Sequence, residues 1–150
     1  MHRSQRLEPV VKIAKSREEQ AAKELAACQK RADACEAQLA SLRGFRAEYS
    51  QRLQAAAQAG IRSRQFHDFT SFITRLDKAI DQQQRLLGQL QGECEVKRQR
   101  WVTSRAKSLA LDKVVTRYTA SEVRTEAQKE QLAADEQAQR IAPQAHRFKK

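Results

Sequence analysis

The stretch that decides the fold is "QAGIRSRQFHD", Gln58 to Asp68, because it interrupts an apolar repeat that runs on both of its sides. Gly60 follows an alanine- and glutamine-rich run, which is typical of the residue just beyond a helix C-terminus. Ser63 and Asp68 are residue types that accept hydrogen bonds from the first turn of a helix. The stretch therefore predicts a tight turn, at residues 60–65, between two helices.

Before the turn, apolar residues recur at alternating steps of three and four. A spacing of 3.5 residues keeps one stripe of a helix facing a partner helix, so it predicts a coiled-coil seam. Pro9 is tolerated in the first turn of a helix, which predicts a flexible segment at 1–7 and a first helix at 8–59. The seam positions are Val11, Ala14, Glu18, Ala21, Leu25, Cys28, Ala32, Cys35, Leu39, Leu42, Arg46, Tyr49, Leu53 and Ala56.

The same template resumes after the turn and predicts a second helix at 66–142. Pro143 then ends the pattern, and a mobile basic tail is expected at 143–150. Beyond Tyr118 the sequence still favours helix but carries almost no apolar stripe. The seam positions are Phe69, Ile73, Leu76, Ile80, Gln83, Leu87, Leu90, Cys94, Lys97, Trp101, Ser104, Ser108, Leu111, Val115 and Tyr118.

A short connection makes neighbouring helices antiparallel. If the chain folds back near residue 63, the numbers of facing residues sum to roughly 126. This register places Tyr118, where the second seam ends, opposite Glu8, and it brings Cys35 near Cys94. The sequence thus predicts an all-α fold: a long antiparallel two-helix coiled-coil hairpin, with the second helix overhanging by about 20 residues.

Composition agrees with long helices. Aromatic residues make up 5% of the chain and charged residues 31%, with only 4 glycines and 2 prolines. No apolar run is long enough for a membrane span, and the stretch "MHRSQRLEPVVK" lacks the apolar region of a secretory signal, so a cytosolic location is expected. The cysteines form no C-x-x-C pair, which predicts free thiols and neither a disulfide framework nor a zinc site.

Catalytic motifs are missing from the sequence. The glycines are isolated, so they form no phosphate-binding loop, and a two-helix rod offers no pocket that would exclude water from a reaction. We therefore expect no enzyme activity, no metal and no cofactor.

The net charge of +11 indicates acidic partners. Basic residues concentrate at 1–17 and 97–117, two stretches that the predicted register puts side by side. They form either a solvated face or a docking end for an acidic protein cavity. Nucleic acid is disfavoured because Trp101, the one aromatic inside the second basic run, belongs to the seam, which leaves no stacking platform. The predicted docking residues are Lys12, Lys15, Arg17, Lys97, Arg98, Arg100, Arg105 and Lys107.

Aromatic residues cluster beside the turn. Phe72, Leu76, Ala79 and Gln83 form a helical stripe that is offset from the seam but shares Leu76 and Gln83 with it. Either Phe72 and Ala79 widen the seam, or the stripe binds a partner, for which aromatic side chains are preferred anchors. We favour the partner-binding interpretation.

The runs "AEYSQRLQAAAQAGI" (47–61) and "FTSFITRLDKAIDQQ" (69–83), together with Trp101 and the basic residues around it, resemble the FliJ family of the bacterial flagellar type III export apparatus. The resemblance implies a cytoplasmic protein, peripheral at the cytoplasmic face of the inner membrane. It also implies a stalk-like coupler between the hexameric export ATPase and the export gate, which handles export chaperones and supports flagellar assembly and motility.

The family's gate-contact motif maps onto Phe72, Leu76 and Ala79. Its fourth position, often histidine, is Gln83 in this chain, and glutamine can still form hydrogen bonds. The main alternative function is a basic coiled-coil module that binds nucleic acid or an anionic membrane surface. Two further alternatives are a holdase chaperone whose apolar tip grips unfolded clients and a purely structural homodimer.

Overall fold

The computed structural model describes the backbone of residues 1–147 and the side chains of residues 1–141. It contains two helices, α1 (Arg3–Ala59) and α2 (Ser63–Arg147), which pack against each other. No strand occurs in the described part of the chain. The predicted all-α antiparallel hairpin is confirmed.

The turn is shorter than predicted and is confined to residues 60–62. Gly60 has a φ of 86°, a left-handed conformation that favours glycine, and its N–H donates to the carbonyl of Ala57 at 3.3 Å. The N–H of Phe66 donates to the carbonyl of Arg62 at 3.1 Å, so Arg62 occupies the cap position and Ser63 is already helical.

Helix α1 begins at Arg3, earlier than the predicted start at residue 8, and Pro9 lies inside it. Proline lacks the N–H that would bond to the preceding turn, which costs stability in a helix interior. Contacts with α2 offset this cost: the N–H of Ser4 donates to Oε1 of Glu122 at 3.2 Å, and its hydroxyl donates to Oε2 at 2.6 Å. The predicted flexible segment at 1–7 is therefore mostly helix.

Helix α2 continues to Arg147, beyond the predicted end at residue 142. Residues 148–150, and the side chains from residue 142 onward, lie outside the described residues, so the mobility expected for the basic tail stays a prediction. The overhang is exposed along the described part of its length, as shown by Leu132 at 63% and Ile141 at 67% exposure.

Contacts divide the chain into two units. The turn unit consists of Glu19–Thr103, and the terminal unit consists of Met1–Glu18 and Ser104–Lys150. In the turn unit, every buried residue lies at a predicted seam position, which confirms the 3.5-residue periodicity within this unit. These residues are Ala21, Cys28, Cys35, Leu39, Leu76 and Leu90.

The register in the turn unit differs from the prediction. Cys94 contacts Cys28, with 2.6 Å between their sulfur atoms, and not Cys35. The thiol of Cys35 instead donates to the carbonyl of Gln83 at 3.6 Å. Because the turn has only three residues, the chain reverses its direction nearer residue 61 than residue 63. Each residue of α1 therefore faces a residue of α2 that lies about one helical turn from the predicted one.

The terminal unit packs the first residues of α1 against α2. Ser108 is buried in it, with 4% of its surface exposed. The guanidinium of Arg3 lies 5.7 Å from the centroid of the Tyr118 ring. Nζ of Lys15 lies 3.9 Å from Oδ1 of Asp112 and adds an exposed ion pair between the two helices.

Candidate partner-binding sites

The predicted gate-contact stripe lies on α2 within the turn unit, close to the turn. Leu76 is buried, with 8% of its surface exposed, whereas Phe72, Ala79 and Gln83 are half-buried. Their steps of four, three and four residues keep them on one side of the helix. The stripe thus follows the edge of the interface between α1 and α2, where part of each half-buried side chain still faces solvent.

Phe72 belongs to an aromatic cluster that includes a residue of α1. The ring of Tyr49 lies 4.3 Å from that of Phe72, with an interplanar angle of 37°, and 6.3 Å from the ring of Phe69 in an edge-on arrangement. The guanidinium of Arg52 lies 5.5 Å from the Tyr49 centroid. The sequence predicts Tyr49 only as a seam residue. Its pairing with Phe72 depends on the register between α1 and α2, which the sequence predicted incorrectly in this unit.

The side-chain amide of Gln83 is held by α1. Its Nε2 donates to Oε1 of Gln38 at 2.8 Å, and lies 3.2 Å from the sulfur and 3.4 Å from the carbonyl of Cys35. These contacts use the donors of the amide and fix its orientation. The acceptor oxygen is the polar group that Gln83 retains for a partner.

The predicted docking cations divide between the two units. The turn unit holds Lys97, Arg98 and Arg100. Of the eight predicted docking cations, Lys97 is half-buried and the other seven are exposed. The terminal unit brings together the other five predicted residues, Lys12, Lys15, Arg17, Arg105 and Lys107.

Two of the cations in the turn unit have acidic neighbours. Nζ of Lys97 lies 3.3 Å from Oε2 of Glu24, and Nε of Arg98 lies 3.9 Å from Oε2 of Glu95. A hydrogen bond from Gln20, followed by the hydrogen bond and charge of Lys97, lowers the pKa of Glu24 below its usual value. Glu24 is therefore ionised at neutral pH, and it reduces the charge that Lys97 presents to a partner.

The terminal unit contains a groove of about 440 Å³ between α1 and α2. Val10 and Ile13 are 46% and 53% exposed on its α1 side. These two residues are not seam positions, and the sequence did not predict them as part of a site. The sequence pattern that could have indicated them is a second apolar stripe, with a step of three residues. The groove is lined by Val10, Ile13, Ala14, Arg17, Ser104, Lys107, Ala110 and Leu111.

Uncompensated positive charge surrounds this groove. Arg17 and Lys107 line it, and Lys12 lies one residue before Ile13 on α1. Within the part of the chain whose side chains are described, none of these three has an acidic partner, whereas Lys15 is paired with Asp112. An apolar groove with basic residues at its edge suits a partner surface that carries both apolar and acidic side chains.

Comparison with known proteins assigns the chain to a family. The family model described as "Flagellar FliJ protein" matches residues 3–147, which include the predicted gate-contact stripe and the groove. The chain belongs to the FliJ family. A search of curated proteins returned no match, and neither did a search of solved structures.

FliJ proteins are components of the bacterial flagellar type III export apparatus, and the family is not a known enzyme family. Across the described residues of this FliJ family member, no helix is long and apolar enough to cross a membrane. The same residues contain no group of three or more potential metal ligands, and all three cysteines are free.

Proposed function

We propose that the chain is a stalk-like coupler between the hexameric export ATPase and the membrane-embedded export gate, and that it also handles export chaperones. It acts in the cytoplasm, peripherally at the cytoplasmic face of the inner membrane. Family membership supports a role in flagellar protein export. The two candidate surfaces supply the partner contacts.

The observation that carries the ATPase assignment is the groove of the terminal unit. Its walls expose Val10 and Ile13, whose burial against a partner would contribute favourably to the stability of a complex. Arg17 and Lys107 at its edge attract an acidic surface and speed association. Residues of the ATPase ring that combine acidic and apolar side chains fit this groove.

The stripe beside the turn is the proposed gate contact. Since Leu76 is buried, the gate would contact the exposed edges of Phe72 and Ala79 and the amide oxygen of Gln83. Packing against Tyr49 and hydrogen bonds from Gln83 hold two of these side chains in place before binding. Such preorganisation lowers the entropic cost of forming a complex.

The mechanism is mechanical. Long helices α1 and α2 transmit the state of the ATPase ring, which changes with nucleotide, to the gate, while the chain itself performs no chemistry. Chaperones that deliver export substrates would be released to the gate at the complex that the chain forms with the ATPase and the gate.

The test measures ATP hydrolysis by the purified export ATPase as the chain is titrated in, and binding of the chain to the cytoplasmic domain of the gate protein. We expect saturable stimulation of hydrolysis and gate binding at physiological salt. An unchanged hydrolysis rate together with no gate binding would refute the coupler. Retention of a labelled DNA duplex at physiological salt, with a steep salt dependence, would instead support the nucleic-acid-binding alternative.

A further inference from the structure

Two thiols on different helices of the turn unit lie in direct contact. The sulfur of Cys94 on α2 is 2.6 Å from that of Cys28 on α1, and neither is part of a disulfide. A disulfide bond is about 2.05 Å long, so the sulfurs need to approach by only about 0.5 Å to bond. Bond formation also requires the two side chains to rotate until the Cβ–S–S–Cβ dihedral is about 90°.

We propose that Cys28 and Cys94 form a redox modification site, at which a low-molecular-weight disulfide such as oxidised glutathione converts the two thiols into a covalent bond between α1 and α2. This inference is independent of the proposed coupling function. It assigns a chemical role to residues that otherwise only fill the seam.

Burial sets the order of the two exchange steps. Cys94 is half-buried, whereas Cys28 is only 4% exposed, so oxidised glutathione meets Cys94 first. The thiolate of Cys94 attacks one glutathione sulfur and forms a mixed disulfide, and the glutathione that leaves takes up a proton. Cys28 then attacks the sulfur of Cys94 and releases the second glutathione, which takes up the proton from Cys28. In sum, two protein thiols are oxidised and one glutathione disulfide is reduced to two thiols.

The surroundings of the pair make its oxidation slow. The hydrogen bond with Cys28, followed by burial and the charge of Cys28, raises the pKa of Cys94 to about 11. Nearby Glu93 raises this pKa further and Arg31 lowers it. The thiolate is therefore scarce at neutral pH, so exchange is slow and requires a sustained excess of oxidant.

Bond formation would fix the register of α1 on α2. It would also close a loop that contains the turn, which restricts the unfolded chain and stabilises the folded one. The oxidised chain should thus be more rigid than the reduced chain in this unit.

Cys35 provides an internal control. It is as buried as Cys28, but its neighbour on α2 is Gln83: the thiol donates to the Gln83 carbonyl at 3.6 Å, and Nε2 of Gln83 lies 3.2 Å from the sulfur. The neighbour of Cys28 on α2 is a thiol, whereas the neighbour of Cys35 is an amide. Cys35 should therefore remain a free thiol when Cys28 and Cys94 are oxidised.

The experiment incubates the reduced full-length chain with excess oxidised glutathione. Thiols are then counted in denaturant, and peptides are mapped by mass spectrometry without reduction. We expect the thiol count to fall from three to one, a peptide pair joined through Cys28 and Cys94, and a rise of about 10 °C in the thermal midpoint that a reductant reverses.

Single serine variants sharpen the test, with circular dichroism to confirm that each one folds. Cys35→Ser should still form the bond, whereas Cys28→Ser should stop at the glutathione adduct on Cys94. Three titratable thiols after prolonged oxidation of the wild-type chain would overturn the proposal, as would a bond that involves Cys35 or joins two chains. Mapping of the wild-type chain decides the question even if a variant fails to fold.

Discussion

The rings of Tyr49 on α1 and Phe72 on α2 pack with their centroids 4.3 Å apart, so the first residue of the proposed gate contact also joins the two helices. Removal of Phe72 would therefore affect stability and partner binding together. Experiments on the gate contact must separate these two effects. Substitution of Tyr49 can do so, because Tyr49 contacts Phe72 but is not part of the stripe on α2.

Replacement of Phe72 by alanine should weaken binding to the gate protein about tenfold, because a half-exposed aromatic anchor is lost. Tyr49→Ala removes the same ring contact from the other helix and should weaken binding much less. Isothermal titration calorimetry measures both affinities. Denaturant unfolding of the two single variants and the double variant should give a coupling of about 1 kcal/mol between the rings. Equal loss of gate affinity in both single variants would show that Phe72 acts only through packing.

Ala79→Asp should weaken gate binding without unfolding the chain, because Ala79 is half-buried and an aspartate there would lose hydration when the gate covers it. Gln82→Asp places the same new charge on an exposed position of the same helix and serves as the control. Motility in soft agar and helicity by circular dichroism are measured for both variants. A large loss of helicity in Ala79→Asp alone would mean that this residue belongs to the helix interface.

In the groove of the terminal unit, the double variant Arg17→Glu with Lys107→Glu should abolish most stimulation of the export ATPase, since both cations at the groove edge are reversed. Lys129→Glu reverses a charge on the exposed overhang and should leave stimulation unchanged. Hydrolysis rates at several salt concentrations provide the measurement.

The apolar part of the same groove has its own test. Because Ile13 is 53% exposed, Ile13→Ser should change the free energy of unfolding by only about 0.5 kcal/mol, yet it should reduce ATPase stimulation. If stimulation by Ile13→Ser matched that of the wild-type chain, the groove would not be the ring contact.

Glycine substitutions should have opposite effects at two positions. Gly60→Ala should destabilise the hairpin by about 1 kcal/mol, because alanine rarely adopts the φ of 86° found there. Gly44→Ala should stabilise it by a similar amount, about 1 kcal/mol, since Gly44 is inside α1 and an added Cβ meets nothing within 4 Å. Urea unfolding monitored by circular dichroism compares the two variants, and a stabilising Gly60→Ala would contradict the assigned turn.

Acid should weaken the contact between Ser4 and Glu122. The Ser4 hydroxyl, aided by backbone N–H groups, lowers the pKa of Glu122 below its ordinary value of 4.5, although burial opposes the shift. Because the folded pKa is lower than the unfolded one, the stabilisation is present above pH 4.5 and is lost as the pH falls through the lowered pKa. Thermal midpoints from pH 7 to pH 3 should therefore fall more for the wild-type chain than for Glu122→Gln. Parallel curves would indicate that the pKa of Glu122 is the same in the folded and the unfolded chain.

Much of the fold followed from periodicity, because the apolar pattern determines which helix face is buried. The buried residues of the turn unit, such as Cys28, Leu39 and Leu90, all lie at predicted seam positions. Periodicity determines a face but not how far one helix is displaced along the other. A displacement of one turn preserves the apolar stripe, and so the contact of Cys94 with Cys28 was assigned to Cys35.

The start of α1 and the groove were missed for a different reason. Pro9 gives a strong local signal, but the hydrogen bonds between Ser4 and Glu122 join residues far apart in sequence. Likewise, Val10 and Ile13 become part of a groove only when Ala110 and Leu111 lie opposite them. Charge concentration did indicate the region, since Arg17 and Lys107 were both predicted docking residues.

The exposed overhang of α2 has a practical value for optical experiments. A cysteine introduced at position 129 would be fully open to maleimide dyes, whereas the three native thiols are buried or half-buried in the seam. Brief labelling would therefore attach one fluorophore to each molecule at a known place. Polarised single-molecule imaging of that dye on assembled export machinery would reveal whether this component turns while ATP is consumed.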